Sequence, residues 1–144
     1  ALASAVETDC LQTQAGFDAV LALFDSTITF HAQYQQSRTL GAMLELLLTH
    51  TDNPRALGWV AQTLRGRLAK MGHLANGATE ALSRKIPVLS EVDFQSLSAD
   101  GLHHTPELLA LLSHCRQTAR SVSDQLNSLF FSHSDEAQRS VGAS

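Results

Sequence analysis

Two cysteines, three prolines, one tryptophan and one tyrosine are a sparse supply of structure-fixing residues for a chain of 144. Cys10 and Cys115 lack the spacing of a redox or zinc motif, and a single bridge would be an odd staple for a chain long enough to bury a core. Both are read as reduced thiols, which places the protein in the cytoplasm. Long apolar runs are missing too: Leu46-Leu47-Leu48 and Leu108 to Leu112 are far too short to cross a bilayer, and Ala1 to Gly16 has no basic start followed by an apolar block. An excess of positive charge is missing, since ten basic residues face fourteen acidic ones for a net charge of −4, which argues against a nucleic-acid binder. An apolar content of 44% argues equally against a disordered chain. No segment alternates with the period of a strand for long. The seven histidines form no HxxxH, HExxH or ExxH pair, so no metal centre or other cofactor is expected. There is no GxSxG and no glycine-rich phosphate loop.

What is present is helical periodicity. From Phe17 to Gln36, Phe17, Val20, Leu21, Phe24, Ile28 and His31 step by three and four, with Leu23, Phe30 and Tyr34 beside them. Asp18 and Asp25 fall on the polar side, one heptad apart, as solvated charges. A second helix over Thr39 to His50, capped by Ser37, carries Leu40, Met43, Leu44 and Leu47, with Glu45 its only charge. Asn53-Pro54 then reads as a cap and a first-turn proline, so a third helix is expected to begin at Pro54. Its stripe is Leu57, Val60, Ala61, Leu64, Leu68 and Met71, with Gly72 as a left-handed C-cap. Ala78 to Lys85 is a short helix stopped or kinked by Pro87, and Ser90 to Asp93 is expected to open one further turn. After a loop over Ser96 to His104, Thr105-Pro106-Glu107 opens the last helix. Its seam of Leu108, Leu112, Cys115, Ala119, Val122, Leu126, Leu129 and His133 would run for about 39 Å at about 1.5 Å per residue. The expected fold is all-α, an antiparallel up-and-down bundle of four main helices plus a short kinked one. The expected organisation is a frayed segment over 1–16, one bundle domain over 17–133 and a disordered tail over 134–144.

The face of the third helix that points away from its stripe carries Arg55, Trp59, Gln62 and Gly66. The indole either stacks under Arg55 or is covered by a partner. Residues 55–85 also hold Arg55, Arg65, Arg67, Lys70, Arg84 and Lys85 against Glu80 alone, a local basic excess that suits an anion, an acidic partner or a solvated face. Arg55, Trp59, Arg65 and Lys70 are therefore the candidate residues for anion or partner binding, and no residue stands out as catalytic.

Three segments taken together, Phe24 to Tyr34, Leu44 to Leu48 and Asn53 to Leu57, resemble the bacterial alpha-E domain family in order and spacing, and Leu126 to His133 is similar to that family's last helix. The resemblance implies an all-helical domain of a kind found alone or fused to an ATP-grasp ligase module, and encoded beside transglutaminase-like peptidases. By implication the chain serves a peptide-ligation or peptide-modification system. Arg55 matches the family pattern, whereas His31 and Gln33 stand where the family carries arginines. The family's Glu-Arg motif has no counterpart before Phe17, so the resemblance is read as covering the C-terminal half of the domain, and the chain as a fragment or a truncated relative. The expected function is a non-catalytic scaffold or interaction domain whose Arg55/Trp59 face meets a protein partner, the other half of the domain or a second copy of the chain. Neither nucleic acid nor a membrane is expected as a partner. The alternative is part of an enzyme domain that binds a phosphate or carboxylate substrate through the basic helix face.

Overall fold

The computed structural model describes the chain apart from residues 9, 35–38, 75, 95–104 and 132–144. The described residues are helical, with no strand among them: α1 (Leu2–Glu7), α2 (Gln14–Leu23), α3 (Thr27–Tyr34), α4 (Leu40–Leu44), α5 (Leu57–Lys70), α6 (Ala78–Lys85) and α7 (Thr105–Phe130). Single turns of 3-10 helix cover Cys10–Gln12, Gly72–Leu74 and Leu89–Glu91, and Glu45–Thr49 extends α4 as a π-helical turn. The expected tail over 134–144 lies outside the described residues, as do Ser37 and the loop over 96–104.

The N-terminal segment is helical where fraying was expected. Leu2, Ala5 and Val6 fall at i, i+3 and i+4, and with Leu11 they are buried in the main core, with α1 packed on α7. A stripe of three residues is too short to register as periodicity, yet it suffices once α7 offers a surface to cover it.

The helix expected over Phe17 to Gln36 is two helices. α2 ends in a Schellman arrangement: the Asp25 amide donates to Ala22 O at 2.9 Å and the Ser26 amide to Leu21 O at 2.9 Å, with Asp25 at a φ of 48°. Aspartate is one of the few side chains that enters the left-handed region without large cost. The corner breaks the phase of the stripe. Phe30 becomes fully buried and packs edge-on against Phe17 at 5.5 Å, whereas Ile28 and His31, both assigned to the buried face, are exposed.

α4 is capped by Thr39, whose hydroxyl accepts from the Ala42 amide at 3.2 Å. In the π turn the His50 amide reaches back to Glu45 O at 3.3 Å, and the wider turn helps bury Leu46, Leu47 and Leu48 together. Asn53 does not cap a helix that starts at Pro54. It is buried in a tight turn: its Oδ1 accepts from the Arg55 amide at 3.1 Å, its carbonyl accepts from the Ala56 amide at 2.9 Å, and its Nδ2 donates to Leu46 O at 3.5 Å. α5 consequently opens at Leu57. Gly72 does not take the left-handed cap assigned to it either; that conformation falls on Asn76 and Gly77, just ahead of α6. α6 ends at Lys85, ahead of Pro87, as the sequence implies.

Two apolar clusters result. The larger gathers α1 to α4, the π turn, Phe94 and Leu108; the smaller joins Ala61 and Leu68 of α5 to Leu82 and Ile86 around α6 and to Val122 of α7. α7 passes from one cluster to the other. Its long seam is thus satisfied by two cores in succession rather than by one set of equally long partner rods.

α5 sits hard against the π turn. A Cβ at Gly58 would lie 2.6 Å from Thr49 O and 2.9 Å from Leu48 O, both rigid backbone atoms. At Gly66 a Cβ would meet nothing within 4 Å. Gly58→Ala is expected to cost about 1–3 kcal/mol by forcing these elements apart, and Gly66→Ala to add up to about 1 kcal/mol of stability through helix propensity. Thermal unfolding followed by circular dichroism should move the two midpoints in opposite directions.

Candidate functional site

The four residues singled out by sequence occupy separate places along α5 and its entry turn. Arg55 lies in the turn after Asn53, and its guanidinium donates from Nη2 to Asp25 Oδ2 in a short ion pair. This contact ties the α2–α3 corner to the start of α5. The half-buried indole of Trp59 lies in the first turn of α5 and joins none of the ring contacts among the described residues. On either side of Asp25 in the chain, Leu23 and Ile28 are 66% and 85% exposed, the two most open aliphatic side chains of the corner. Asp25 is therefore an anchor for Arg55 rather than a free surface charge, and the corner presents apolar groups around that anchor.

Arg65 has a different setting. It lines a cavity of about 160 Å³ with Thr51, Gln62 and Ser90, floored by Gly58 and Ala61. The chain folds this way because the close approach of Gly58 brings α5 beside the end of the π turn, while Pro87 halts α6 and turns residues 87–90 back across α5. Arg65 is the one charged group in that wall, and no hydrogen bond or ion pair engages it among the described residues. Lys70 is exposed in the last turn of α5 with Arg67, where cations favour the negative end of the helix dipole. Five residues after Arg65, it points roughly 140° around the helix. The sequence-derived set thus divides into a corner site with Arg55 and Trp59 nearby, a cavity site with Arg65, and a solvated Lys70.

A third constellation escaped sequence reading. Tyr34 Oη lies 3.3 Å from His50 Nε2, and His50 Nδ1 lies 3.2 Å from Asp52 Oδ1. If Nδ1 carries the proton and donates to Asp52, Nε2 is left to accept from the phenol. Burial, followed by the nearby Glu45 carboxylate, pushes the Tyr34 pKa up to about 12. A phenol held neutral in this way donates a hydrogen bond and does not act as a base or nucleophile near neutral pH. Its ring also packs on Phe30 at 5.2 Å. The group therefore clamps α3 to the π turn. Sequence spacing carries little sign of it, because Tyr34 and His50 are brought together by the packing of two elements.

The remaining candidates are chemically quiet. Burial raises the Cys115 thiol, the opposite of what a reactive cysteine needs. No group of three histidine, cysteine, aspartate or glutamate side chains is placed to hold a metal among the described residues.

The model of the Alpha-E family, described as a predicted alpha-helical domain with a conserved ER motif, matches residues 1–131. The chain belongs to the Alpha-E family. No curated protein and no solved structure matches it. The family match begins at residue 1, so the segment expected to fray, now seen as α1, is inside the Alpha-E region, and the likeness is not confined to a part beginning at Phe17. No Glu-Arg dipeptide occurs in these 144 residues. Among the basic residues of the Alpha-E chain, Arg65 and Arg116 line cavities, while Arg55 and Lys85 reach Asp25 and Gln125 on neighbouring elements.

Two measurements check this geometry. Tyr34 is the sole tyrosine, so phenolate absorbance reports it directly. Its titration should have a midpoint near pH 12 rather than 10. Because the folded-state pKa is raised, the associated stability is complete below about pH 10 and is lost as pH rises through about 12. At the corner, the ion pair has side-chain exposures of 52% for Arg55 and 77% for Asp25, so Arg55→Ala should cost under about 1 kcal/mol. Asp25→Ala should cost more, by about 1 kcal/mol, because alanine tolerates the left-handed backbone poorly, and Asp25→Gly should recover that difference. Urea unfolding of the three variants measures the order.

Proposed function

We propose that this Alpha-E chain is a non-catalytic scaffold or interaction domain that works in the cytoplasm within a peptide-ligation or peptide-modification system. The observation that carries the interaction role is the corner at Asp25. Exposed Leu23 and Ile28 flank a carboxylate already neutralised by Arg55, and Trp59 opens the helix that follows. Apolar side chains around a satisfied ion pair, with an aromatic close by in the chain, are the materials of a protein contact, whose centre is poor in free charge. The two thiols, Cys10 and Cys115, are unpaired, which suits a reducing compartment. No helix among the described residues is long and apolar enough to cross a membrane. The link to ATP-grasp ligases and transglutaminase-like peptidases rests on the family resemblance alone.

A partner surface of this kind leads an isolated chain to self-associate. Size-exclusion chromatography with light scattering should report a homodimer, and Ile28→Asp, a change at a fully open position, should shift it to monomer without lowering the melting temperature. A wild-type chain that stays monomeric at high concentration and a Trp59 emission typical of full solvent exposure would together remove the proposal.

A second reading has its own observation. The Arg65 cavity gives the basic side of α5 a place for an anion, as expected if the domain contributes an anion-binding site to an enzyme. Arg55 and Lys70 do not share that cavity. Calorimetric titration with acetate and with inorganic phosphate should show saturable binding that Arg65→Ala abolishes and Lys70→Ala leaves unchanged.

A further inference from the structure

We infer that the Arg65 cavity and the groove beside it form one amphiphilic site, which takes a monoanionic carboxylate bearing a short aliphatic side chain, such as the C-terminal residue of a peptide. The inference rests on the anion-binding reading of Arg65 and adds the class of ligand. A second cavity of about 70 Å³ lies between α5 and α7 and shares Ala61, Pro87 and Leu89 with the first as a common wall. Its lining is almost wholly apolar, with Leu57, Leu64, Ile86 and Val122 among its residues. Such a space has too few polar partners to hold water well and is suited to a hydrocarbon group. Val60, at its edge, is 45% exposed, so the groove opens to solvent.

The charge selects the head group. Among the described residues that line the polar cavity, one guanidinium is the only ionised side chain, accompanied by the neutral groups of Thr51, Gln62 and Ser90. A single Arg fork balances a single negative charge and matches the two oxygens of a carboxylate, whereas a phosphate dianion would retain unpaired charge. The hydroxyls and the amide can serve the remaining lone pairs. The two cavities adjoin on either side of Ala61, Pro87 and Leu89, so a ligand that spans them carries its carboxylate and its aliphatic group close together, as an α-amino-acid residue at a chain end does.

Calorimetry or amide-shift titration of the full chain with N-acetyl-leucine, N-acetyl-leucinamide, acetate and phosphate tests this. N-acetyl-leucine should bind saturably and at least tenfold more tightly than acetate, phosphate or the amide. Arg65→Gln, confirmed as folded by its circular dichroism, should lose at least tenfold, and Ala119→Phe, which fills the apolar groove, should weaken N-acetyl-leucine while leaving acetate unaffected. Acetyl-Gly-Gly-Leu and free leucine serve as further probes, and either exceeding its own amide supports the carboxylate assignment. Equal binding of the acid and the amide, or phosphate ahead of N-acetyl-leucine, overturns the ligand class while leaving an anion site at Arg65. Absence of binding by every anion overturns the anion reading itself.

Discussion

The close seating of α5 on the π turn, made possible by the missing side chain of Gly58, is the contact on which the rest of the molecule depends. With Thr49 O and Leu48 O where a Cβ would need to be, no larger residue fits at position 58 without moving backbone. That approach places Gly58 and Ala61 as the floor of the Arg65 cavity and brings Thr51 to its rim. The same π turn carries Glu45 toward Tyr34 and delivers His50 to the phenol, with Asp52 on the far nitrogen of the imidazole. Two polar constellations thus draw on the three residues that follow one five-residue turn, His50 and Asp52 for the first and Thr51 for the second.

Long elements were readable from periodicity, because a seam repeated over many turns outweighs local exceptions. The last helix, its core residues Leu108 and Val122, and the short α6 with its stop before Pro87 agree with the sequence reading. The family was readable as well, from Phe24 to Tyr34 and the Asn-Pro-Arg junction. Short-range backbone chemistry was not. A single left-handed Asp25 splits a helix without disturbing composition, and the apolar spacing on either side still looks continuous. Asn53-Pro54 serves a helix cap and an Asx turn equally well, and only the reach of Asn53 Nδ2 to Leu46 O decides for the turn. The π turn adds a residue to one turn in a stretch where nearly every side chain is apolar, so no polar marker records the slip.

The candidate site was half legible. The excess of cations on residues 55–85 is visible in the sequence, but their division is not: Arg55 is spent on Asp25, Lys70 on the end of the helix, and Arg65 alone faces a cavity. The cavity's other walls come from residues 87–90, whose path across α5 depends on Pro87 and on packing beyond the reach of periodicity. An interaction domain and a ligand site are compatible in such a molecule, since the corner at Asp25 and the cavity at Arg65 draw on different residues.

Solution NMR tests the central contact most directly. If α5 rests on the π turn through Gly58, the α-protons of Gly58 will show nuclear Overhauser effects to protons of Thr49 and His50, and the His50 amide will exchange slowly because it donates to Glu45 O. A rapidly exchanging His50 amide together with no cross-peak from Gly58 to either residue would contradict the account.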